Sequence, residues 1–198
     1  PSVSQLPASG STVSGVGSTT VTLTANDGHG NTTTCSFTVN RIDNIAPTVT
    51  CPANQALTLG TSCTATLPAY SPVSSADNCS TPSMLQTPTA GTILSGVGST
   101  TVTLTANDGN GNTGTCSFNV SVSDGTAPTI TCPGTQTVLL SNTCSASLPA
   151  YNPATIADNC GTPSFTQQPA AGTTLNGVGT TTVTLSTNDG NGNSNSCN

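Results

Sequence analysis

The chain contains a sequence repeat with a period of 81 residues, which fixes the size of its structural unit. The stretch TANDGHGNTTTCSF at residues 24–37 returns as TANDGNGNTGTCSF at residues 105–118, and a third version, STNDGNGNSNSCN, ends at Asn198. A fixed period indicates one structural unit repeated along the chain. The predicted units are the C-terminal part of a repeat at 1–42, a complete repeat at 43–123 and a nearly complete repeat at 124–198, expected as a window of a longer array.

The cysteines follow the same period. Each of the second and third repeats contains four, and Cys35 corresponds to the fourth cysteine of the first repeat. An equal number in every unit predicts two disulfides per repeat and an oxidising compartment. A zinc site is not supported, because no CxxC pair and no repeated histidine occur. The cysteines expected to pair are Cys51, Cys63, Cys79 and Cys116, then Cys132, Cys144, Cys160 and Cys197.

The charged residues of the chain limit the classes of molecule that it can bind. Arg41 is the only cation, no glutamate occurs, and seven aspartates give a net charge of −6. Such a surface would not neutralise nucleic acid or an anionic membrane, so neither is expected as a partner. No run of residues is apolar enough to insert into a bilayer.

Short alternating segments predict strands. Thr19–Thr24 alternates polar and apolar residues, as a half-buried strand does, and its copies at 101–105 and 182–185 do the same. An Asp-Gly turn follows each, and Cys35–Val39 forms a second strand. Further strands are expected at 48–51, 56–59 and 63–67. No segment has a helical period, so the sequence predicts an all-β fold of tandem β-sandwich repeats of 81 residues.

The order of motifs resembles one known family. APTxTCP, then SADNC, then GVGSTTVTLTANDGNGNTGTCSFNVSVSD is similar to the hyalin-repeat (HYR) family, and the resemblance covers essentially the whole chain. It implies immunoglobulin-like extracellular modules, of the kind found in tandem in adhesive and cell-surface proteins.

The resemblance also implies a disulfide pairing. The Cys-Pro cysteine would pair with the cysteine of the last strand, giving Cys51–Cys116 and Cys132–Cys197. The pairs Cys63–Cys79 and Cys144–Cys160 would then remain. This second pairing does not fit a plain immunoglobulin-like layout, because Cys63 would begin a strand at the end of the sandwich opposite to Cys79. The connectivity therefore stays open.

All seven aspartates fall at three positions of the repeat. In an immunoglobulin-like sandwich these positions meet at one pole, which would bring together Asp43, Asp77 and Asp108, and in the next repeat Asp124, Asp158 and Asp189. Grouped carboxylates suit calcium. Turn formation is the alternative, because Asp side chains bind local backbone amides and Asp-Gly is a common hairpin dipeptide. Both interpretations stay open, and no other cofactor is expected.

Catalysis is not expected. His29 is the only histidine, and asparagine replaces it in the other repeats at Asn110 and Asn191. Serines without a base and an orienting partner form no catalytic site. Asn31, Asn78 and Asn119 begin glycosylation sequons, but a threonine-rich chain generates such triplets by chance, so glycans on them stay open.

The favoured function is structural. A disulfide-stabilised array would form an extracellular stalk, fibre or surface filament, with other copies of itself as partners. The main alternative is a cell-surface adhesin whose loops bind a glycan or a protein. It predicts divergent loops, whereas the loops here are nearly as alike as the strands. A spacer attached to a secreted enzyme is a third, weaker reading.

Overall fold

The computed structural model describes all 198 residues. It consists of eighteen β-strands joined by turns and loops, without a helix. The predicted all-β fold is therefore confirmed.

Strands recur at corresponding positions of the repeats. The first repeat contains β1 (Ser2–Leu6), β2 (Gly17–Asn26) and β3 (Thr32–Arg41). The second contains β4 (Thr48–Thr50), β5 (Gln55–Thr58), β6 (Thr64–Thr66), β7 (Ser74–Ala76), β8 (Ser83–Thr87), β9 (Ile93–Ser95), β10 (Gly98–Asn107) and β11 (Thr113–Ser123). The third contains β12 (Thr129–Thr131), β13 (Ser145–Ser147), β14 (Thr155–Ala157), β15 (Ser164–Gln168), β16 (Thr174–Asn176), β17 (Thr184–Asn188) and β18 (Ser194–Cys197).

The sheets are mainly antiparallel. One sheet has the order β1-β2-β3, and the four-stranded sheet of the second repeat has the order β5-β11-β10-β8. In that sheet β5 runs parallel to β11, with Gln55 opposite Val120. The third repeat has the sheet β15-β17-β18, and two-stranded pairs complete both repeats: β4-β7, β6-β9, β12-β14 and β13-β16.

The core follows the period-2 pattern of the long strands. In the stretches 102–106 of β10 and 118–122 of β11, alternate residues are at most 5% exposed, and their polar neighbours are more accessible. Because successive side chains of a strand point to opposite faces, the pattern of the sequence dictates this burial. Each fully buried valine or leucine contributes about 1.5–3 kcal/mol. The buried residues are Val102, Leu104, Ala106, Phe118, Val120 and Val122.

The chain forms two compact units. The first comprises Pro1–Pro52, Tyr70–Thr87 and Thr103–Ser117, and the second comprises Ala53–Ala69, Pro88–Val102 and Phe118–Asn198. Each unit contains one of the two aspartate groups named above. Each unit also combines residues of more than one 81-residue sequence block, so the units do not coincide with these blocks.

Candidate functional site

The structure brings the aspartates together in two groups of three. In the first unit, Asp43 follows β3, Asp77 follows β7 and Asp108 follows β10, and one carboxylate oxygen of each lies within 4.8 Å of the others. In the second unit Asp124, Asp158 and Asp189 form the same arrangement. We call these the first and the second aspartate cluster.

The hairpin aspartate of each cluster is held by its own turn. Asp108 Oδ1 accepts hydrogen bonds from the backbone amides of Asn110 and Asn112, at 2.8 and 3.0 Å, and Oδ2 accepts one from Asn112 Nδ2. Burial raises the pKa of Asp108, but these hydrogen bonds outweigh burial and the pKa is lowered. The turn interpretation of this position thus has a direct structural basis.

The same turn occurs once without a cluster. Asp27 Oδ1 accepts from the amides of His29 and Asn31, and Oδ2 accepts from Asn31 Nδ2 at 2.6 Å. Hydrogen bonding by the Asn31 side chain, together with the His29 amide, lowers the pKa of Asp27. Asp27 belongs to neither cluster. An aspartate can therefore form this turn without belonging to a cluster of aspartates.

The other members of the clusters keep oxygens without partners. Asp77 Oδ2 accepts from the amides of Cys79 and Ser80, whereas Asp77 Oδ1 is buried and makes no hydrogen bond. Asp158 repeats this pattern: Oδ2 accepts from Cys160 N at 2.8 Å and Oδ1 is buried and unpartnered. Asp43 Oδ2 is unpartnered as well. The hydrogen bonds of the turns leave these oxygens without a partner, and each unpaired buried polar atom costs free energy. Turn formation alone therefore does not explain why they are buried.

Asparagines fix the linker aspartate from two loops. Asn112 Nδ2 donates to the backbone oxygen of Asp43 at 3.2 Å, and Asn78 Nδ2 lies 3.4 Å from Asp43 Oδ1. In the second cluster, Asn193 and Asn159 make the corresponding contacts with Asp124 at 3.2 and 3.4 Å. Both linkers are therefore anchored in the same way.

Three disulfides are present. Cys51–Cys116 and Cys132–Cys197 are the pairs that the resemblance implied, each with a Cα–Cα distance of 5.6 Å. The third joins Cys63 to Cys160, with a Cα–Cα distance of 4.8 Å. Cys35, Cys79 and Cys144 are unpaired and exposed.

The third disulfide corrects the expected pairs Cys63–Cys79 and Cys144–Cys160. Cys63 precedes β6, which pairs with β9, whereas Cys79 follows β7, which pairs with β4. The segment between them passes from one sheet to another and separates the two thiols. Cys160 occupies the same position in the third repeat as Cys79 does in the second. Cys63 therefore pairs with a cysteine at the expected position of the repeat, but in the next repeat along the chain.

The remaining predicted residues lie on the surface. His29 is exposed in the turn between β2 and β3. Asn31, Asn78 and Asn119 are also exposed, but the amide groups of Asn31 and Asn78 donate to Asp27 and Asp43. Asn119 Oδ1 accepts from Thr101 Oγ1. A glycan on Asn31 or Asn78 would be attached to the same nitrogen that makes these contacts.

One cleft in the third repeat has a volume of about 1110 Å³. Its walls include Val138, Leu139 and Val183, and its polar groups are threonines, asparagines, a glutamine and Tyr151. No aspartate or histidine lines it, so its walls offer no general base of the usual kind.

The chain has no helix long and apolar enough to cross a membrane. Comparison with curated protein sequences gives no significant match. The family model described as HYR domain matches three consecutive segments, residues 1–41, 42–122 and 123–198. HYR domains are extracellular, non-enzymatic repeat modules, and the three disulfides fit such a location. The chain belongs to the HYR domain family.

Proposed function

We propose that this chain is part of an extracellular structural array that forms a stalk, fibre or surface filament. The observation that carries the proposal is the anchoring of Asp43 and Asp124 by asparagines at the same distances. A linker held by side-chain hydrogen bonds transmits orientation from one repeat to the next. Linkers anchored in the same way would then give an array of regular geometry.

The surface supports the same proposal. The hairpins at Asp27, Asp108 and Asp189 make the same set of hydrogen bonds, so the exposed turns are alike as well as the strands. An adhesin that recognises one ligand would favour turns that differ between repeats. Uniform turns instead favour contacts of the array with further copies of itself.

Electron microscopy of the native material tests this function. Long fibres of uniform width support it. Separate particles that bind a glycan array or a protein ligand would instead support the adhesin function and contradict the structural one.

We further propose that each aspartate cluster binds one calcium ion. Calcium takes oxygen ligands at about 2.4 Å, so two oxygens bound to one ion lie at most about 4.8 Å apart. One oxygen from each of Asp43, Asp77 and Asp108 meets this limit, as does one from each member of the second cluster. The buried oxygens of Asp43, Asp77 and Asp158 without hydrogen bonds would gain a partner.

Asn159 supplies a further candidate ligand. Asn159 Oδ1 is buried without a hydrogen bond, while its Nδ2 contacts Asp124. An amide oxygen is a normal calcium ligand. Bound calcium would offset the repulsion among three carboxylates and would thereby stiffen the linker.

Isothermal titration calorimetry of the 198-residue chain tests the calcium proposal. We expect two sites per chain, and we expect EDTA to lower the melting temperature. Absence of binding heat, together with an unchanged melting temperature in EDTA, would contradict calcium but would leave the structural function standing.

A further inference from the structure

The Cys63–Cys160 disulfide joins two consecutive repeats. Cys63 belongs to the second repeat and Cys160 to the third, with a sequence separation of 97. The linker of the third repeat, beginning at Asp124, lies within this interval. Two covalent connections therefore join the second repeat to the third, the linker peptide and the disulfide.

The three disulfide loops overlap along the chain. They span 51–116, 63–160 and 132–197. Together they enclose every peptide bond from Cys51 to Cys197. Without the middle loop, residues 117–131 would lie outside any loop, and these residues include the linker.

The turn that carries Cys63 is formed independently of the bridge. Cys63 has a φ of 56°, in the left-handed region that L-residues rarely adopt, and its amide donates to the oxygen of Gly60 at 3.0 Å. Cys144, which is unpaired, has a φ of 57°, and its amide donates to Ser141 at 2.9 Å. Since Cys144 adopts this conformation without a disulfide, the local sequence presents the sulfur in this way.

The sulfur on the partner side is also contacted by a neighbouring asparagine, whether or not the cysteine is paired. Asn159 Nδ2 lies 3.3 Å from Cys160 Sγ, and Asn78 Nδ2 lies 2.9 Å from the sulfur of the unpaired Cys79. Asn159 Nδ2 also donates to the oxygen of Gly60, in the turn that carries Cys63. One amide group thus contacts both sides of the bridge.

The linker between these repeats contains three consecutive exposed residues. Gly125, Thr126 and Ala127 are exposed and lie between the ends of β11 and β12. An extracellular endoprotease requires an accessible segment of this kind.

We propose that the Cys63–Cys160 disulfide keeps consecutive repeats covalently joined after proteolytic cleavage of the linker. Any single peptide-bond cleavage between Cys51 and Cys197 then leaves one molecule. The bond forms by exchange with a small disulfide such as oxidised glutathione: the two thiols lose two electrons and two protons, and two glutathione molecules are released. This function depends neither on calcium nor on filament formation.

Trypsin provides a direct test, because Arg41 is the only basic cleavage site of the natural chain. The variant Thr126→Arg adds a second site in the linker. The protein is folded with oxidised glutathione, its free thiols are blocked with iodoacetamide, and it is digested in urea. The products are compared by mass spectrometry with and without reductant.

We expect two products without reductant. Residues 1–41 are released, since Cys35 is unpaired, and their release shows that digestion is complete. Residues 42–126 and 127–198 remain joined and separate only after reduction. Three products without reductant would overturn the proposal, because disulfides within each repeat cannot connect the two sides of the cut.

Two further variants identify the bridge. Adding Cys63→Ser and Cys160→Ser to Thr126→Arg is expected to give three products without reductant. Adding Cys79→Ser and Cys144→Ser instead is expected to leave the fragments joined. Joined fragments in the first variant, or separated fragments in the second, would each contradict the assignment. The second variant retains every disulfide of the structure, so the test does not depend on whether the first one folds.

Discussion

Asn159 Nδ2 donates a hydrogen bond to the backbone oxygen of Gly60 over a distance of 3.1 Å. The two residues are 99 positions apart and belong to different repeats of the sequence. The same amide group contacts Asp124 Oδ1 and Cys160 Sγ. A single side chain therefore connects the preceding repeat, the linker aspartate and the disulfide.

The turn and calcium roles of aspartate can be separated by a matched pair of variants. Asp108→Asn removes a carboxylate from the first cluster, whereas Asp27→Asn alters the same kind of turn outside any cluster. We expect calorimetry to detect one calcium per chain in Asp108→Asn and two in Asp27→Asn. Equal stoichiometry in the two variants would contradict a calcium site at the first cluster.

Acid is expected to weaken the hairpin turns. The folded-state pKa of Asp108 is lowered from 3.8, so its contribution to stability is complete at neutral pH and is lost as the pH falls below about 4. Asp108→Asn does not titrate. The difference in melting temperature between the natural chain and this variant should therefore shrink between pH 5 and pH 2, as followed by circular dichroism. A difference that stays constant over this range would contradict the assignment.

A side chain at Gly114 is expected to destabilise the second repeat. A Cβ atom at this position would overlap the backbone oxygen of Pro47, whereas one at Gly98 would meet no atom within 4 Å. We expect Gly114→Ala to lower the free energy of unfolding by about 1–3 kcal/mol, as overpacking does. Gly98→Ala should be neutral or slightly stabilising, because it restricts the unfolded chain. Urea denaturation measures both, and equal effects would refute the steric explanation.

The Cys51–Cys116 disulfide should contribute strongly to stability. It closes a loop with a sequence separation of 65, for which loss of unfolded-state entropy gives about 4 kcal/mol. The double variant Cys51→Ala and Cys116→Ala should lose about this amount in urea denaturation. Cys35→Ser removes an unpaired thiol and serves as the control, with little change expected. A double variant as stable as the control would show that the loop is not constrained.

The strands were predictable because alternation of polar and apolar residues determines which side chains are buried. Thr19–Thr24 lies within β2, and the buried Val102 and Leu104 follow the same pattern in β10. The short strand β8 was not predicted, because its sequence SMLQT has no clear alternation. Its backbone pairing with β10 stabilises it instead.

The partner of Cys63 could not be predicted from the repeat. Cys79 and Cys160 occupy the same position in successive repeats, so a count of cysteines per repeat is identical for either partner. Only the three-dimensional position of the next repeat distinguishes them. The contact of Asn195 with the Pro128 oxygen could not be inferred from the repeat for a different reason, since the equivalent residues of the other repeats are Gly114 and Thr33.

The pairing of Cys63 across repeats has a consequence for biosynthesis. During synthesis from the N-terminus, Cys63 leaves the ribosome 97 residues ahead of its partner. Its thiol must therefore stay reduced, or be held in a temporary bond, until about half of the following repeat has entered the oxidising compartment. Oxidative maturation then lags translation by about one repeat, and the third repeat completes the second.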